Sequence, residues 1–141
     1  MHRGKRAIGA IALVVALLTG CAGQVSDEHV VNDPVALESI TPELKRITFT
    51  EEAVRRLDIR TAPVEILDGR TVIPSSAWFV QPDGTFWVYI SPQLHVFVRH
   101  QISIESDDGV RTVLKAGPPP DTHVVTVGAP ELLGAEFEIG H

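Results

Sequence analysis

Ala77-Trp78-Phe79-Val80-Gln81-Pro82-Asp83-Gly84-Thr85-Phe86-Trp87-Val88-Tyr89-Ile90 is the stretch on which the fold turns. Pro-Asp-Gly suits a type I turn closed by a glycine at positive φ. The runs on either side therefore read as the two arms of a hairpin. On the second arm Phe86, Val88 and Ile90 share one face, and Trp87 and Tyr89 share the other. A strand that is apolar on both faces is either covered on both sides or offers one face as a contact surface. Trp78, Phe79, Trp87 and Tyr89 are accordingly candidate partner contacts, because aromatic side chains dominate interface hot spots. Packing in the core is the other reading of the same four residues.

Downstream, His95 to Ser106 alternates, with Val96, Val98, His100, Ile102 and Ile104 on even positions. Asp107-Asp108-Gly109 is a hairpin turn leading into Val110–Leu114. Gly117-Pro118-Pro119-Pro120-Asp121 is a stiff loop, Val124–Val127 a strand, and Gly128-Ala129-Pro130 a turn. Upstream, Leu67-Asp68-Gly69-Arg70 is a tight hairpin turn between Ile59–Ile66 and Thr71-Val72-Ile73. Leu44–Phe49 has strand character, with Ile47 and Phe49 on one face. Thr50 is an N-cap, Glu51 and Glu52 suit the first turn of a helix, and Ala53, Val54 and Leu57 follow at helical spacing. Short strands with turn signals every 8–12 residues or so predict a mainly β domain. The expected form is a small antiparallel β-roll or barrel over residues 42–141, with one short helix near residues 51–57.

The front of the chain is a different material. Arg3, Lys5 and Arg6 form a basic start, and Ala7–Leu18 is a run of 12 uncharged apolar or small residues. A membrane-spanning helix needs about 20, whereas a secretory h-region has this length. Leu18-Thr19-Gly20-Cys21 follows, which resembles the lipobox of bacterial lipoproteins. The resemblance implies cleavage before Cys21 and acylation of its thiol and new amino group. Residues 1–20 then read as signal peptide and 21–41 as a lipidated, flexible tether rich in polar residues and Pro34. Several acyl chains on one residue anchor stably where one would be marginal. The expected location is the extracytoplasmic face of the envelope, on the outer leaflet of the cytoplasmic membrane or on the outer membrane.

The 141 residues carry 12 Lys+Arg against 18 Asp+Glu, a formal charge of −6. Loss of residues 1–20 removes three basic residues and leaves nine against 18, or −9. Such a balance argues against nucleic acid as a partner, since nothing would neutralise its phosphates. A single Cys excludes an internal disulfide framework. His95 and His100 differ by an odd number and face opposite sides of a regular strand, and no His or Cys cluster has metal-ligand spacing. Ser75-Ser76 reads as a turn after Pro74, outside any Gly-x-Ser-x-Gly elbow. Glu51-Glu52 and Asp107-Asp108 read as helix-start and turn chemistry. Glu136 and Glu138 read as one solvated strand face near the C-terminus. The expectation is no enzyme, no catalytic residue, no metal and no cofactor.

Four segments, in order, resemble the membrane-proximal domain of periplasmic adaptor (membrane fusion) proteins of RND-type tripartite efflux systems. They are Ile47–Glu65; Ile73–Ala77 with Asp83-Gly84 and Trp87–Ile90; Phe97–Ile104; and Val124–Ala129 with Leu132-Leu133. Full adaptors leave this domain after the early strand to build a barrel, a lipoyl-like domain and an α-hairpin. Here a few turn residues join Ile66 to Val72. Position 58 is Asp where the family usually has Gly, as a left-handed helix cap. The resemblance implies an accessory or docking module for an inner-membrane transporter or its adaptor. A small-molecule or ion binding lipoprotein, and a purely structural envelope protein, are the alternatives that the residues leave open.

Overall fold

The computed structural model describes residues 33–137. The signal segment 1–20 with Leu18, Thr19 and Gly20, the lipidation candidate Cys21, the first part of the tether, and Glu138 all lie outside them. The described chain forms β1 (Val35–Thr41), β2 (Leu44–Phe49), α1 (Glu51–Arg56), β3 (Arg60–Pro63), β4 (Glu65–Leu67) and β5 (Arg70–Pro74). A single 3-10 turn at Ser75–Ala77 leads to β6 (Phe79–Val80), β7 (Phe86–Gln93), β8 (Val96–Asp107), β9 (Arg111–Ala116), β10 (His123–Val127) and α2 (Ala129–Phe137). The fold is mainly β, one antiparallel sheet curled into a half-barrel.

The sheet runs β3-β10-β7-β8-β9-β5-β4, with β2 also on β8, β1 on β2 and β6 on β7. β8 explains the curl. Its first part, Val96–Val98, pairs with β2, and its second part, Ser103–Asp107, pairs with β9. The register slips between Ser103 and Ile104 and again between Ile104 and Ser106, and such bulges bend a strand and increase its twist. The two ends of the path, β3 and β4, are separated by Val64 alone. Val64 is 1% exposed; its N–H donates to the Thr122 carbonyl (2.8 Å), and its carbonyl accepts from Asp121 N–H (2.9 Å).

The alternation on β7 is realised. Val88 packs with Ile73, Ala77, Ile102, Leu114 and Val124 in one apolar cluster. Tyr89, one residue on, packs with Ile47, Phe49, Phe97, Val125 and Leu132 in another. Both faces of the strand are thus covered. The turns also follow their residues: Gly84 sits at φ +85°, Gly109 at +86°, and Asp68-Gly69 at +51° and +75°, as a two-residue type I′ hairpin requires. Thr50 caps α1 by accepting from Ala53 N–H (3.1 Å). Asp58 adopts the left-handed conformation (φ +52°) expected of a cap, and its carboxylate takes two hydrogen bonds from Arg60 (3.0 and 2.8 Å).

Three expectations are corrected. The tether does not extend to residue 41, because Val35–Thr41 is strand β1, paired from Val35↔Phe49 to Thr41↔Leu44. Only Val35 and Leu37 of β1 pack against the core, so its composition resembles a linker. His95 is not on a strand opposite His100 but in the turn between β7 and β8, at φ +63°. The turn at Gly128-Ala129-Pro130 instead starts a second helix. Gly128 (φ +102°) lies so close to β3's approach that an added Cβ would meet Ile59 Cγ1 at 2.9 Å. Pro130 occupies the first turn of α2, where a missing N–H costs nothing, and Glu131 favours the same end. Leu132 and Glu136, one helical turn apart, are the buried positions of α2.

Candidate functional site

β7 and β8 place Tyr89 directly opposite Arg99. Both residues lie on the sheet face that α2 covers, and α2 brings Glu136 onto them. Glu136 is 1% exposed and Arg99 7%. A buried carboxylate is tolerated only when paired and hydrogen-bonded, and this one has both oxygens engaged. Oε2 accepts from Arg99 Nε (2.8 Å) and from the Tyr89 hydroxyl (2.7 Å). Oε1 accepts a long bond from the Lys45 backbone N–H (3.4 Å), while Lys45 Nζ donates to the Glu136 carbonyl (3.0 Å). Burial first, and the Glu136 carboxylate second, push the Tyr89 phenol far above its ordinary range. It therefore remains a hydroxyl donor at any physiological pH.

Arg99 makes three further contacts. Nη2 donates to the Glu43 carbonyl (2.7 Å), and the guanidinium carbon lies 4.8 Å from the Trp87 ring centroid and 5.0 Å from that of Phe137. Stacked contacts of this kind suit the planar guanidinium better than they would an ammonium. Arg99 lies at the base of an open cleft of about 500 Å³ bordered by the β1–β2 turn, Gln81, Asp83, Trp87 and Phe137. Trp87 Nε1 donates to Thr85 Oγ1 (2.7 Å), which donates to Asp83 Oδ1 (2.6 Å). The Thr85 hydroxyl and N–H hold the Asp83 carboxyl below the usual carboxylate range, so it is ionised at neutral pH.

The four aromatic residues singled out from sequence do not form one patch. Tyr89 is 0% exposed, which removes it from any contact surface. Phe79 stacks on it with centroids 5.5 Å apart. Trp78 packs with the other cluster, its ring edge on Phe86 (5.4 Å, 82°) and its Nε1 donating to Thr112 Oγ1 (3.0 Å). Trp87 alone of the four borders the cleft. Glu136, expected to be solvated on a strand, is a buried helical residue and the centre of the network. Arg99 was not singled out at all.

A second polar cluster joins Ser75, Asp107 and Thr112. Ser75 Oγ donates to Asp107 Oδ1, which also accepts from Thr112 Oγ1 (3.0 Å) and from Gly109 N–H (3.1 Å). These bonds, led by that from Ser75, hold the Asp107 carboxyl below its ordinary value, which makes it a poor base for activating the serine. Neighbouring Asp108 is lowered by the N–H groups of Arg111 and Val110. The cluster is turn chemistry, and it has a pH signature. Groups with a folded-state pKa below the unfolded value contribute stability above the unfolded value and lose it as pH falls. The melting temperature should therefore drop between about pH 4 and pH 2. Asp107→Asn with Asp108→Asn should flatten that drop; an unchanged slope would show that the two carboxylates do not carry it.

Among the described residues, no group of three or more His, Cys, Asp or Glu is placed to hold a metal ion, and no helix is long and apolar enough to cross a membrane. No protein-family model matches the chain, and neither a curated protein nor a solved structure matches it.

Proposed function

We propose that this chain is a lipid-anchored, non-enzymatic envelope lipoprotein whose half-barrel is an accessory docking module of an efflux transporter. The observation that supports this most is where the four adaptor-like segments lie. They supply β2 with α1 and β3, then β5 with β7, then β8, then β10 with α2. Of these, β2, β8, β7, β10 and β3 are consecutive hydrogen-bonded neighbours. Apart from β5, which β9 separates from β8, the resemblance thus falls on one contiguous surface of the sheet. Cys21, at the end of the lipobox, would set this surface beside a membrane.

The same comparison suggests the contact. Where adaptors insert their further modules, Asp68-Gly69 closes the hairpin and leaves β4 as a sheet edge paired only with β5. Ile66 and Leu67 on that edge are 50% and 38% exposed. An open edge with apolar side chains recruits a strand from a partner. Cross-linking of the full lipidated chain in membranes, followed by purification, should capture a transporter or its adaptor. Ile66→Lys with Leu67→Lys should abolish capture while changing stability by less than about 1 kcal/mol, as exposed positions do. Capture of no transport protein by the wild-type chain would end this reading, and undiminished capture by the double variant would remove β4 as the contact.

A further inference from the structure

The cleft beside Arg99 has unspent binding capacity of a definite kind. Arg99 uses Nε on Glu136 and Nη2 on the Glu43 carbonyl, and Nη1 makes no hydrogen bond to a described residue. The side chain is 6% exposed, and what remains of it borders the cleft. Nη1 is thus the donor of Arg99 left for water or a ligand in the cleft to accept from. The cleft also has a charge of its own. Arg99 is neutralised internally by Glu136, so the charges left on its lining are the carboxylates of Glu43 and Asp83. Pro42, Leu44, Trp87 and Phe137 complete the walls, and Phe137 is 60% exposed.

We propose that this cleft binds a small zwitterion of the basic amino acid class. A ligand carboxylate accepts from Arg99 Nη1, and ligand ammonium groups meet Glu43 and Asp83. The methylenes between them lie against Trp87 and Phe137. A carboxylate without an ammonium would be repelled by Glu43 and Asp83. An amine without a carboxylate would leave Nη1 unpaired, and a neutral apolar ligand would do both jobs badly. The volume of about 500 Å³ is in the range of small-molecule sites. This inference does not depend on transporter docking, because it needs no second protein.

The test is calorimetric titration of the full chain in detergent with L-lysine, cadaverine and hexanoate, alongside thermal melting. L-lysine should bind saturably, one per chain, and raise the melting temperature. Cadaverine, which has the amines alone, and hexanoate, which has the carboxylate alone, should each bind at least about tenfold more weakly. Asp83→Asn with Glu43→Gln changes exposed side chains, and the amide oxygen introduced at position 83 can still accept from Thr85, so the unliganded melting temperature should fall by only a few degrees while L-lysine affinity falls about tenfold or more. No saturable binding of L-lysine at millimolar concentration would overturn the proposal. So would equal binding of cadaverine or hexanoate, or full affinity in the double variant.

Discussion

Replacing Arg99 with Ala is expected to lower the melting temperature on the order of 10–20 °C. The reason is what it leaves behind. Glu136 would be left at a position 1% exposed without its cation, with only Tyr89 and the Lys45 N–H to hydrogen-bond it. Removing one member of a buried ion pair costs about 3–5 kcal/mol, a large part of the roughly 5–15 kcal/mol that holds a domain together. Glu136→Gln tests the other half: the amide oxygen can still accept from Tyr89, but the Arg99 charge is stranded. Arg99→Met with Glu136→Leu should be more stable than Arg99→Met alone or Glu136→Leu alone, because an apolar pair of similar volume often replaces a buried ion pair with little loss. It should stay below wild type, since Tyr89 and Lys45 lose their acceptor or its positioning. The coupling read from the cycle should exceed about 1 kcal/mol. A melting temperature of Arg99→Ala within two or three degrees of wild type, on the order of half a kcal/mol, would mean that water reaches Glu136 and that α2 is not locked by it.

What the sequence made legible was what turn residues and side-chain parity control. Pro-Asp-Gly, Asp-Gly and Asp-Asp-Gly each admit few backbone paths, so the residues alone place the hairpins at 81–84, 68–69 and 107–109. Parity on β7 separated Val88 from Tyr89 correctly. β1 was hidden because a strand with one face open to solvent and only Val35 and Leu37 packed carries little hydrophobic signal. α2 was hidden for the opposite reason. Its buried stripe consists of Leu132 and Glu136, and a pattern built on hydropathy puts a glutamate outside.

The site was half legible in the same sense. Trp87 and Tyr89 stood out as an apolar odd face. Reading β8 by its even positions, where Val96, Val98 and Ile102 alternate, turned attention from the odd ones. Phe97 and Arg99 are the odd residues, and they face the same side as Tyr89 through the pairing Tyr89↔Arg99. An arginine in register with a buried tyrosine was the available signal. Nothing local announced its acid, since Glu136 lies 37 residues further along the chain.

The proposed membrane attachment would rest on one atom, the Cys21 sulfur, and its removal should have the largest functional consequence of any single change. Let the chain be exported behind a signal cleaved by the ordinary secretory peptidase, with Cys21→Ser so that no thioether can form. The ratio of membrane-bound to soluble chain should fall by about 100-fold or more. Each buried methylene of an acyl chain contributes about 0.8 kcal/mol, so two or more chains dominate any surface attraction. Among the described residues nothing offers a replacement. Were residues 1–20 removed, the chain's charge would be −9, which would repel anionic headgroups instead of attracting them. Its described helices are too short and too polar to span a bilayer. The wild-type chain should show the matching mass, that of residues 21–141 plus its acyl groups. A Cys21→Ser chain that still sediments with membranes would locate the anchor elsewhere, either in the residues after Cys21 or in a tightly held membrane partner. Stripping with high salt and carbonate then decides between those two, because a peripheral partner contact would be released and an anchor would not.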